Sequence, residues 1–194
     1  MTGGSGKVAV RTELLARRAA LDPDARLDAA RNVTNHLVTA VTSRAARIVA
    51  GYVPIGAEPG GPDLPDILRS TGARVLLPVL RADNDLDWAE HSGPLVAAAR
   101  GLREPAGPSL GVTAIATADL VVVPALAVDR RGVRLGRGGG SYDRALARVP
   151  AAVPVIALLH DGELLDDIPA EPHDRLVSAV ITPSGGWCDL PYIS

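Results

Sequence analysis

Residues 132–144, G-V-R-L-G-R-G-G-G-S-Y-D-R, constrain this chain more than any other stretch. They follow an apolar run at residues 118–128, A-D-L-V-V-V-P-A-L-A-V, that reads as one buried strand, and they precede a helical pattern at residues 142–149. A strand, a glycine-rich turn and a helix in that order are how α/β proteins build an anion site. Glycines let backbone N–H groups approach phosphate oxygens, and a helix start adds unpaired donors and a positive dipole end. Arg134 and Arg137 add fixed positive charge suited to phosphate. Residues 129–148 hold six Arg against two Asp in a chain whose formal net charge is -2, so positive charge gathers where the glycines are. The stretch is not a P-loop, since no G-x-x-x-x-G-K-[ST] is present, and Ser141 stands where a dinucleotide fingerprint needs its last glycine. The plain alternative is a flexible turn solubilised by arginines. Against it stand the adjacent Tyr142 and Asp143: a carboxylate at the helix start is favoured there and can reach a Mg2+ held on phosphates.

The rest of the composition sets bounds on that site. With 194 residues, 47% apolar and 22% charged, the chain is expected to form one α/β domain over residues 1–194, with residues 1–6 as a mobile tail. Phe is absent and aromatics are 3%, so aliphatic side chains must build the core. Apolar runs stop well short of the ~18 residues of a membrane span. The start, M-T-G-G-S-G, lacks the regions of a signal peptide, so a cytoplasmic location is expected, with no membrane or nucleic-acid partner and a monomeric state. The single Cys188 excludes an internal disulfide and a multi-cysteine metal site, and a partly buried, non-catalytic thiol is expected.

Taken in order, Ser5 is a candidate N-cap for a helix over residues 7–21, on which Lys7 and Arg11 project from one face. Such a pair reads most simply as a solvated basic helix face; against that, Lys7 is the only lysine among the 20 basic residues, and arginine is no equivalent for its compact charge. Asp22-Pro23 restarts a helix whose apolar stripe runs through Val33, Leu37 and Val41, with His36 at the surface. Residues 47–53 read as a buried strand that places Glu58 in the loop beyond its carboxyl end, the edge where parallel sheets bind ligands. A helix over 62–71 and a strand over 74–80 follow, then a hairpin at Asp83, Asp85 and Asp87 whose acids lack the pattern of a calcium loop. Strands at 153–159 and 177–181 complete an alternation implying a three-layer sandwich: a mostly parallel sheet with helices on both faces.

The central motif resembles the signature of the 5-formyltetrahydrofolate cyclo-ligase (5,10-methenyltetrahydrofolate synthetase) family, R-L-G-x-G-x-G-Y-Y-D. Three shorter elements resemble the family in the same order: K-x-x-x-R at Lys7 and Arg11, Tyr-x-x-x-x-x-Glu at Tyr52 and Glu58, and I-P-x-E-x-x-D ending at Asp174. The resemblance implies ATP-dependent closure of 5-formyltetrahydrofolate to 5,10-methenyltetrahydrofolate, with Mg2+ and release of ADP and phosphate. The formyl oxygen attacks the γ-phosphate, N10 closes on the activated carbon, and no protein nucleophile is needed. It assigns Lys7, Arg11, Arg134, Leu135, Gly136, Arg137, Gly138, Gly139, Gly140, Ser141 and Tyr142 to ATP, with Lys7, Arg137 and Tyr142 catalytic. It assigns Tyr52, Val53, Glu58, Arg137 and residues 138–141 to the folate, and Asp143 and Asp174 to Mg2+. A G-x-x-E-P match at Glu104 and Pro105 suggests that this loop or Trp88 covers the pterin, while His173 is read as structural or exposed.

Three positions depart from the family pattern: Gly61 for Thr, Ser178 for Asp, and Ser141 for the first Tyr of the signature. The last removes an aromatic surface from the folate side, worth ~0.5 to 1.5 kcal/mol in favourable pairs. Two alternatives remain at this level, since one scaffold hosts many chemistries. One is a sugar-phosphate isomerase or CoA-transferase-like enzyme, which needs no ATP, and the other is a nucleotide- or folate-binding relative without turnover.

Overall fold

The computed structural model describes residues 3–171 and 174–191. In chain order its elements are α1 (Gly3–Ala19), α2 (Pro23–Ser43), β1 (Ile48–Ala50), α3 (Leu64–Ser70), β2 (Arg74–Leu80) and β3 (Leu86–Glu90). Next come β4 (Leu95–Ala97), β5 (Arg103–Pro105), β6 (Leu120–Pro124), β7 (Ala127–Asp129), β8 (Arg134–Leu135) and α4 (Ser141–Leu146). The last four strands are β9 (Val155–Leu158), β10 (Leu164–Leu165), β11 (Ala179–Thr182) and β12 (Gly186–Asp189).

Strand alternation divides the core in two. In the seven-stranded sheet, ordered β12-β11-β9-β6-β1-β2-β3, the five inner strands are parallel and the edges β3 and β12 antiparallel. Leu120 and Val122 of β6, Ile156 and Leu158 of β9 and Val75 and Leu77 of β2 point to one face, packing on Val33, Leu37 and Val41 of α2 and Leu64 and Leu68 of α3. Val121, Val123, Val155, Ala157 and Leu76 point to the other, under Ala145 and Leu146 of α4 and Ile115 of a 3-10 turn. Each fully buried aliphatic side chain contributes about 1.5–3 kcal/mol, so two dry faces give a Phe-free chain its core. Helices on both faces of a mostly parallel sheet are what the alternation implied.

Helix α1 stands apart from that sheet. Its Leu14 packs with Leu126, Ala127, Val133, Leu135 and Ile168 around a second sheet of order β10-β7-β8. The apolar run at 118–128 is therefore not one strand. Pro124 has no N–H with which to continue the ladder, and the chain steps across through Ala125 and Leu126, whose N–H donates to Leu135 O at 2.8 Å. The glycine-rich stretch thus hangs from the small sheet, facing α1.

Several boundaries differ from the sequence expectation for physical reasons. Helix α1 begins at Gly3, so Ser5 lies inside it and residues 3–6 are helical, whereas residues 1 and 2 of the expected tail lie outside the described residues. Tertiary contacts of Lys7 and Arg11 override the poor helix propensity of the glycines before them. Asp22 caps α2 as expected, its Oδ1 accepting from Asp24 N and Ala25 N. Trp88 of β3 is fully buried in the core and does not line the cavity, because α4 and the 3-10 turn at Ile115 pack over its face of the edge strand. Cys188 is exposed, near the outer end of the edge strand β12. His173 lies outside the described residues. Among the described residues no helix is long and apolar enough to cross a membrane.

One glycine fixes how the signature stretch leaves β7. Gly132 has φ +92°, its N–H donates to Asp129 O at 2.9 Å and its carbonyl accepts from Val177 N at 2.9 Å. A Cβ there would run into the Val177 carbonyl oxygen. Gly132→Ala is expected to cost about 3 kcal/mol or more from the left-handed backbone and the clash, seen as a lower urea midpoint by Trp fluorescence. An unchanged midpoint would contradict this account of the turn.

Candidate active site

The glycine loop is shaped by the arginines around it. Gly138 (φ +97°) and Gly140 (φ +67°, the N-cap position of α4) occupy backbone conformations that disfavour a Cβ. Gly136 is needed for space: a Cβ would stand 2.7 Å from an Arg134 guanidinium nitrogen. Arg11 Nε donates to Gly136 O at 2.9 Å, and its guanidinium carbon would lie 3.7 Å from a Cβ at Gly138. Arg134 is held beneath the loop, donating to Asp143 Oδ1 at 3.0 Å and lying 5.7 Å from the Tyr142 ring centroid. Among the described residues its Nε is buried without a partner. A buried, unsatisfied cationic donor under a glycine turn suits an incoming anion.

Helix α1 supplies the facing cations. Lys7, Arg11 and Arg18 are spaced by four and seven, which puts them along one face. Lys7, only 10% exposed, sits 3.3 Å from Glu171 Oε1 and 3.3 Å from Asp174 Oδ2, and the latter also accepts from Glu171 N at 2.8 Å. Deeper in, Arg18 makes a two-pronged ion pair with Glu163, both bonds at 2.7 Å, and donates to Ala125 O at 2.7 Å. Glu163 in turn accepts from His160 N at 2.7 Å, and His160 Nε2 is 2.9 Å from Ala57 O. That chain of contacts ties α1 to the loop carrying Glu58.

The loop after β1 forms the next wall. Tyr52 is buried and its hydroxyl donates to Pro59 O at 2.7 Å. Glu58 is 8% exposed, with Oε2 accepting from Ile55 N at 2.9 Å and Oε1 from Arg137 Nε at 3.1 Å. Arg137 reaches it from the glycine loop while half exposed, so this loop and the signature loop meet across the cavity. Burial, and then the Glu58 charge, pushes the Tyr52 hydroxyl well above its ordinary range; the same two causes raise Tyr142, opposed by Arg134. Both are phenols at working pH, donors and not bases.

These walls line one cavity of about 500 Å³, within the range of small-molecule sites. It brings together Lys7, Arg11, Tyr52, Val53, Glu58, Arg134, Leu135, residues 136–140, Ser141, Tyr142, Asp143 and Asp174, which is every site residue expected from the sequence. The arm of β4 and β5 contributes Leu102, Arg103 and Glu104, so of the two suggested covers the loop lines the cavity and Trp88 does not. Sequence reasoning missed Glu171, although it sits inside the I-P-x-E-x-x-D match. It also missed the buried Arg18 and Glu163 pair, for which the seven-residue step from Arg11 was the available signal.

Fold and cavity together define an α/β enzyme of small anionic substrates, with a glycine loop and an arginine-rich wall. A family model described as the 5-formyltetrahydrofolate cyclo-ligase family matches residues 4–183. A 5-formyltetrahydrofolate cyclo-ligase of Mycolicibacterium smegmatis is 53% identical over 146 residues, 72% of this chain and 75% of that protein. One from Escherichia coli K12 is 31% identical over 176 residues, 88% of this chain and 97% of that protein. A solved 5,10-methenyltetrahydrofolate synthetase from Mycoplasma pneumoniae superposes with a TM-score of 0.74 at 20% identity, covering 92% of this chain and 99% of that one. The Aquifex aeolicus 5,10-methenyltetrahydrofolate synthetase gives 0.76 at 24%, covering 95% and 92%; these two likenesses establish the fold. The chain belongs to the 5-formyltetrahydrofolate cyclo-ligase family and is an enzyme of folate interconversion.

The buried Tyr52 and the half-buried Tyr142 set the alkaline limit. Tyr52 and Tyr142 have pKa values raised above the ordinary 10.0, so their contribution to stability is intact below about pH 10 and is lost as pH rises toward the folded values. We expect absorbance at 295 nm to show no more than one of the chain's three tyrosines ionising in the folded protein, with stability falling above about pH 10. Two or more tyrosines titrating reversibly with an ordinary pKa in the folded state would contradict the burial.

Proposed function

We propose that this chain closes 5-formyltetrahydrofolate to 5,10-methenyltetrahydrofolate at the expense of ATP and Mg2+, releasing ADP and phosphate, and that the cavity holds both substrates. The observation that carries the reading is the pairing across the cavity: the glycine loop contributes Arg137 to Glu58, while α1 contributes Arg11 to Gly136. One loop therefore touches both the phosphate-type wall and the wall beyond β1. All these residues come from one chain and one α/β domain, so the reading needs no second subunit.

The roles follow from chemistry. Glu58, its carboxylate anchored by Ile55 N, offers paired acceptors to the amino-pyrimidinone edge of a pterin, with Tyr52 and Val53 beside it. Residues 136–140 and Ser141 give close backbone approach to phosphate. Lys7, Arg11, Arg134 and Arg137 spread positive charge over it, and Tyr142 donates a hydrogen bond or packs on the ligand. ATP supplies the phosphoryl group that makes the formyl oxygen a leaving group, and Mg2+ neutralises charge on it.

The metal reading fits a substrate-borne ion. Among the described residues no group of three or more His, Cys, Asp or Glu could hold a metal. Asp143 and Asp174 instead line the cavity wall beside Arg134 and Lys7 respectively, the latter lysine shared with Glu171. Mg2+ commonly binds through one or two carboxylates plus substrate phosphates, which is the donor set these two aspartates offer. Their ion pairs also keep the cations from facing one another unshielded before phosphate enters.

Near-ultraviolet absorbance tests the reading. Purified protein with 5-formyltetrahydrofolate and Mg2+ is expected to develop the methenyl chromophore only when ATP is added. Lys7→Ala is expected to lower kcat/KM by about 10^2 to 10^3, as for loss of one charge-stabilising donor, and Lys7→Arg to recover only part of it. Turnover independent of ATP, or none despite tight ATP binding, would overturn the assignment.

A further inference from the structure

The cavity carries six cationic and five acidic side chains, and the two sets are not evenly matched along its walls. On the side built by α1 and the glycine loop, Lys7, Arg134 and Arg137 each lie within 3.3 Å of a carboxylate, and Arg11 donates to a backbone carbonyl. The arm of β4 and β5 is different. Its Arg100 and Arg103 line the cavity, both are exposed, and among the described residues neither guanidinium makes an ion pair or hydrogen bond. Glu104 does not neutralise them, because its Oε1 is turned to β2 and accepts from Leu80 N at 2.9 Å. Arg100 moreover holds φ 58°, ψ 26°, a left-handed conformation that disfavours a residue with a Cβ. Free positive charge is thus concentrated on the arm, next to the apolar lining of Leu80, Leu86 and Leu102.

A folate is polarised in a matching way. Its pterin is a flat hydrogen-bonding ring, its benzoyl group is apolar, and its glutamyl end carries carboxylates. We infer that Arg100 and Arg103 form a subsite for the carboxylates of the glutamyl end, an inference that rests on the folate reading of the cavity. A guanidinium fork matches a carboxylate in geometry and charge. Because both arginines are solvated, each pair contributes modestly; the subsite acts on substrate affinity and leaves the chemical step alone.

The test compares wild type with Arg100→Ala/Arg103→Ala, using 5-formyltetrahydrofolate and its glutamate diamide, in which both tail carboxylates are neutral. Each ligand is followed by turnover and by calorimetric binding. For the natural substrate, KM and Kd are expected to rise about 3- to 30-fold in the double variant, the effect of losing two exposed ion pairs. The kcat and the KM for ATP are expected to stay within twofold, and the diamide to bind both proteins alike. An equal loss for both ligands, or a raised KM for ATP, overturns the subsite, the second outcome assigning these arginines to phosphate. Wild type that binds 5-formyltetrahydrofolate and the diamide equally sinks the subsite and leaves the folate reading standing. Wild type that binds neither ligand sinks both.

Discussion

The hydrogen bond from Arg11 to the carbonyl of Gly136 joins the two parts on which this structure depends, a helix that lies off the main sheet and a loop that hangs from a small one. Helix α1 is not fixed by the large parallel core, whereas the loop reaches that core only at its far end, where it runs into α4. Helix α1 is held instead by its contacts with the small sheet, by the Lys7 pairs with Glu171 and Asp174, and by the buried Arg18 and Glu163 pair. Breaking a buried pair of that kind by removing one partner costs about 3–5 kcal/mol, so the anchor is firm at its inner end. The outer end, where Lys7 lies, is held by longer contacts of 3.3 Å. The cationic helix is thus held firmly at its inner end and by longer carboxylate contacts at its outer one.

Charge pairing also explains how so many cations can share a cavity. Arginine beside arginine in a partly dry space would be repulsive, and the carboxylates of Glu58, Asp143, Glu171 and Asp174 relieve that repulsion. Under the proposed function, the same carboxylates hold the cationic donors that face a polyanion and a pterin. Ordering of the ligand site and stability of the empty one therefore draw on the same pairs. The arm carrying Arg100 and Arg103 lies outside this scheme, and among the described residues its charge stands unmatched.

What could be read from the sequence follows the range of the signals. The parallel sheet was legible because β2, β6 and β9 are apolar runs bounded by Pro, Gly or Asp, and β2 ends where the apolar run does, at Leu80. The cap at Asp22 was legible because capping is local. The cavity residues were legible because they sit in short motifs whose order survives in the chain. Long-range partners were not: nothing near Arg18 in sequence points to Glu163, and nothing near Arg148 points to Asp85, which it grips at 2.6 Å. The single strand read at residues 118–128 failed because apolar periodicity cannot tell one strand from two in different sheets, and only Pro124 hinted at the break. Trp88 was misplaced for a related reason. Alternation gave its strand but not which face of β3 the core would take.

The central claim is that the chain works by holding two substrates against each other in one cavity, with no side chain taking the phosphoryl group. Substrate labelled with oxygen-18 in the formyl group tests it most directly, by mass spectrometry of the phosphate released in a single turnover. The account predicts that the label appears in the phosphate, since the formyl oxygen itself receives the phosphoryl group. Unlabelled phosphate alongside full methenyl formation would contradict it, showing that ATP was hydrolysed or its phosphoryl group passed to the protein before the ring closed.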